Sequence, residues 1–113
     1  MSAILITTDG KMSRIPNPNG EGEAYSIFAL SEQIGALFIA AVVELPGDFF
    51  MLYFDGGLDL CLPFNKTATE MAATRKTKTE LLIYGNVIIV PRNELYPNSG
   101  PVPRGWKPLP RFY

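Results

Sequence analysis

Short blocks of apolar and β-branched residues, each closed by turn residues, run through most of the chain, and this patterning predicts a small sheet with two helices. Residues 3–7 read as a strand, Asp9-Gly10 as a tight hairpin turn with positive φ at both central positions, and residues 11–15 as a polar return strand at a sheet edge. Residues 16–22 are a loop by composition. Tyr25 or Ser26 opens a helix that runs to about Ile34, with Ile27, Leu30 and Ile34 on one face and Gly35 as its left-handed cap.

The apolar run 37–45 shows almost no alternation, which predicts a strand covered on both faces. Residues 49–54 follow as an aromatic strand, and 58–62 as its partner across the Asp55-Gly56-Gly57 turn. The three together predict an antiparallel meander. A second helix is expected over about 66–76. Thr67 and Glu70 fit a capping box, and Asn65 is a rival cap. Residues 81–90 form the last strong strand, with a bulge or kink at Gly85-Asn86.

The resulting expectation is an α+β fold. It has a mostly antiparallel sheet of five or six strands with two short helices on one face. The predicted core comprises Ile4, Ile6, Leu30, Ile34, Phe38, Ala40, Val42, Phe50, Leu52, Leu60, Leu62, Met71, Leu82, Val87 and Ile89. A domain over residues 1–92 is followed by a tail over 93–113, extended and rich in proline, where aromatic and basic residues interleave without a helical or strand period.

Composition narrows the chemistry. The 113 residues include no histidine and a single cysteine, so the commonest general base and metal ligand is missing and no intrachain disulfide can form. Cys61 lies between two leucines and reads as a small sheet or core residue. Asp55 and Asp59 flank a turn without calcium-loop spacing, and Gly20-x-Gly22 lacks the context of a phosphate loop. No catalytic residue, cofactor or metal site is assigned, and an enzyme is not expected. There is no basic leader, and the longest apolar stretch, 36–43, is too short to span a bilayer, so a cytoplasmic protein without membrane contact is expected.

Charge is uneven although the net is −1. Residues 1–65 hold two basic and eight acidic residues, and 66–113 hold eight basic and three acidic. Two sets of binding residues stand out. Asn65, Lys66, Thr67, Arg75, Lys76 and Lys78 flank the second helix as candidates for a ligand or phosphate. Arg104, Trp106, Lys107, Arg111, Phe112 and Tyr113 are candidate partner anchors in the tail, because aromatics and arginines dominate binding energy at interfaces. The aromatics Phe49, Phe50, Tyr53 and Phe54 are a candidate stacking platform, with core or interface as the competing use.

Four segments carry a family resemblance. They are Thr8-Asp9-Gly10-Lys11 after the first strand; Leu30-Ser31-Glu32-Gln33-Ile34-Gly35 before an apolar strand; Leu62-Pro63-Phe64-Asn65-Lys66-Thr67-Ala68-Thr69 opening the second helix; and Ile83-Tyr84-Gly85-Asn86-Val87-Ile88-Ile89-Val90. Across about residues 3–90 the chain resembles the domain of unknown function 3846 family, small proteins of phages, plasmids and other mobile elements. The resemblance implies a small α+β domain in a viral or mobile-element setting, and it supplies no catalytic residues.

The functional expectation follows from these readings together. It is a non-enzymatic binding protein that docks on a host protein or sequesters a small-molecule ligand, in a host-takeover or counter-defence role within the host cytoplasm. A homo-oligomer is one way to build such a site. The alternative is a nucleic-acid or nucleotide-binding module that uses the basic helix end and an exposed aromatic face.

Overall fold

The computed structural model describes residues 3–17, 24–35, 40–55, 61–73 and 81–96. The elements in chain order are β1 (Ala3–Ile6), β2 (Met12–Ile15), β3 (Tyr25–Ser26), α1 (Ile27–Gln33), β4 (Ala41–Leu45), β5 (Phe49–Tyr53), α2 (Lys66–Ala72), β6 (Val87–Pro91), a 3-10 turn (Arg92–Glu94) and β7 (Leu95–Tyr96). The five longer strands form one antiparallel sheet in the order β2-β1-β6-β5-β4, and β3 and β7 pair in parallel as a separate ribbon. The α+β architecture expected from the sequence is present. Among the described residues no helix is long and apolar enough to cross a membrane.

Strand alternation splits the core into two layers. Leu52, Ile88 and Val90 face α1 and pack with Ile27, Leu30 and Ile34. Met51, Val87 and Ile89 face the other way and pack with Ala68 and Ala72 of α2. The helices therefore cover opposite faces of the sheet, not one face as the sequence suggested. The physical reason is visible in β6: every residue from Val87 to Pro91 is buried, which requires cover on both sides.

The same geometry corrects the expected meander. β5 is bonded to β4 on one edge and to β6 on the other, so β6 takes the place beside it that the meander gave to 58–62, of which only Cys61 and Leu62 are among the described residues. Cys61 is exposed in a turn with φ +56°, and neither Cys61 nor Leu62 is in a strand. β4 is the terminal strand of the sheet, with Val42 and Glu44 exposed, so it is not covered on both faces. Val42 (42% exposed) and Leu82 (49% exposed) thus leave the predicted core. Phe38 and Leu60 lie outside the described residues.

Local signals fared better. Ser26 caps α1 by accepting from the Ala29 amide at 3.3 Å, and Gly35 takes φ +76° after the last turn. The β1–β2 connection is a three-residue loop in place of the expected two-residue turn. Gly10 alone takes positive φ there, with the Gly10 amide donating to Thr7 O and the Thr7 amide to Lys11 O, both at 3.0 Å. Tyr25 locks the sheet's end: its hydroxyl donates to Ile15 O at 2.8 Å and accepts from the Ala3 amide at 3.1 Å. Residues 93–96, read as the start of the tail, belong to the folded unit. Leu95 is buried against α1 and pairs with Tyr25.

Candidate binding surface

Two short segments flanking α2 in sequence meet in space. The Asn65 amide donates to Ile83 O, and the Gly85 amide donates to Pro63 O, both at 2.8 Å. These bonds bracket Phe64 and Tyr84 as an opposed antiparallel pair that does not bond through its own backbone. That is the register in which side chains approach most closely. Their rings meet edge to face, 5.5 Å between centroids and 65° between planes.

Alternation sets which way each residue faces. Leu81 and Ile83 join the core on the α2 side, so Leu82 and Tyr84 point outward. Phe64 is 44% exposed and Leu82 49%. Exposed Phe64 and Leu82, with half-buried Tyr84, thus form an aromatic and aliphatic strip on a frame tied to the core.

Asn65 holds that frame. It is fully buried and caps α2, its Oδ1 accepting from the Ala68 amide at 3.0 Å. Its Nδ2 donates to Gly85 O at 2.9 Å and to Ile6 O at 3.3 Å. Thr69 adds a further tie, its hydroxyl accepting from the Ile83 amide at 2.9 Å. Thr67 is therefore not the helix cap. Gly85 sits at φ +85°, and a Cβ there would stand 2.9 Å from Leu62 Cδ1, so both conformation and space select glycine.

This geometry revises the proposed phosphate group. Asn65 has its side chain committed to three backbone partners and no exposed atom to offer. Lys66 is exposed and forms an ion pair with Glu70 at 4.0 Å. Thr67 is half-buried, its hydroxyl 3.6 Å from where a Cβ on Gly10 would be. Arg75, Lys76 and Lys78 lie outside the described residues, as do Arg104, Trp106, Lys107, Arg111, Phe112 and Tyr113.

The expected aromatic platform on β5 is not open. Phe49 and Tyr53 pack on the α2 side and Phe50 on the α1 side, and Phe54 is half-buried. Arg92 also covers Phe50, its guanidinium 5.5 Å from the ring centroid, while it pairs with Glu44 on the neighbouring strand. Among the described residues the phenylalanines that are exposed are Phe28 and Phe64, and Tyr84 is half-buried.

Charged groups elsewhere are turn builders. Asp9 accepts from the Thr7 hydroxyl and from the Lys11 amide, and Lys11 Nζ lies 3.9 Å away. The Thr7 bond first, then the Lys11 amide, hold the exposed Asp9 carboxyl below the usual aspartate range. Asp55 is exposed, and Asp59 lies outside the described residues. Among the described residues no cluster of three or more histidine, cysteine or acidic side chains forms.

No family model, curated protein or solved structure matches the chain.

The strip escaped sequence reading for a definable reason. Residues 81–90 look like one continuous apolar strand, but Gly85 separates an arm, 81–84, whose Tyr84 pairs with Phe64, from the central strand β6. Leu82 and Tyr84 belong to the arm. The glycine was the available signal, and it marked the kink without showing which side of it faced solvent.

Proposed function

We propose that this chain is a non-enzymatic binding protein of a phage or other mobile element, and that it docks on a host protein through the Phe64, Leu82 and Tyr84 strip. The observation that carries this reading is the strip's combination of exposure and rigidity: large apolar groups face solvent on a backbone fixed by Asn65 and Gly85. An anchor already held in place loses little freedom on binding, which favours affinity. Aromatic residues are also the usual centres of interface energy. The resemblance of residues 3–90 to the domain of unknown function 3846 family supports the mobile-element setting.

The interleaved Arg104, Trp106, Lys107, Arg111, Phe112 and Tyr113 are a second set of anchors for the same partner. The nucleic-acid alternative draws less support, because the β5 aromatics are packed and Lys66 is paired with Glu70.

The test is capture from host lysate with the full chain as bait, compared with the Phe64→Ser, Leu82→Ser double variant at matched folding by circular dichroism. The double variant should lose the captured protein. Capture of the same protein by bait and variant in equal amount would refute docking through the strip.

A further inference from the structure

We draw no further inference here: the strongest candidate, the apolar strip of Phe64, Leu82 and Tyr84, belongs to the surface already described, and nothing in the structure shows a second occupant for it.

Discussion

Asn65 Nδ2 donates to the Gly85 carbonyl at 2.9 Å, joining the cap of α2 to the kink that opens β6. One buried amide thus serves a helix start, a strand start and, through Ile6 O, the end of β1. Asn65→Ala removes a cap, worth about 1 kcal/mol, and the side-chain donor to the Gly85 and Ile6 carbonyls, at about 1–3 kcal/mol. We expect a loss of about 2–4 kcal/mol in urea unfolding. Asn65→Asp keeps the cap acceptor but turns an oxygen toward those carbonyls, so it should not restore stability at neutral pH. A change below about 0.5 kcal/mol for both variants would mean the network carries no weight.

Gly85→Ala meets two separate obstacles. The left-handed backbone costs about 1–2 kcal/mol for a residue with a Cβ, and overpacking against Leu62 adds about 1–3 kcal/mol. Combining it with Leu62→Ala should relieve the packing part and leave the backbone part. The double-mutant cycle should therefore be non-additive, with the pair more stable than the sum of the single changes. Additive losses would place Leu62 out of contact with position 85.

The Asp9 carboxyl is lowered by its bonds to Thr7 and the Lys11 amide. A group with a depressed folded value contributes stability above its unfolded value, and that contribution disappears as pH falls through the folded one. The Asp9→Asn variant should therefore match the wild type at strongly acidic pH and be slightly less stable near neutrality. Equal stability across the whole range would show that the turn bonds have no net effect. The carboxyl is exposed to solvent, which keeps the effect small.

The boundary of the folded unit is testable by truncation. Leu95 is buried among Tyr25, Ile27 and Leu30, so removing residues 95–113 empties part of the α1-side core. Loss of a buried leucine alone costs about 2–5 kcal/mol. A chain ending after Glu94 should melt well below one ending after Tyr96, or show no transition. Identical melting of both truncations would remove β7 from the fold.

Much of the architecture was legible because it depends on neighbours in sequence. Ser26 and Gly35 bracket α1 by their own backbone preferences, and Gly85 marks a kink without reference to the rest of the chain. Strand order was less legible. The runs 37–45 and 81–90 are comparably apolar, yet β6 is central and β4 terminal, since only long-range pairing decides which run is covered twice. The helix faces depend on that same order, and so the expectation of a single helical layer failed. Asn65 reads as a possible cap, but its bonds to Ile6 and Gly85 span distances in sequence that no local pattern encodes.

The binding surface tests most directly by hydroxyl-radical footprinting of the full chain, alone and with the captured host protein bound. Phe64, Leu82 and Tyr84 should lose labelling by about threefold or more, since interface cores exclude water. Phe28 and Met12, exposed at 45% and 59%, serve as controls and should keep theirs. Unchanged labelling of the strip, with protection appearing elsewhere on the domain, would contradict docking at Phe64 and its neighbours.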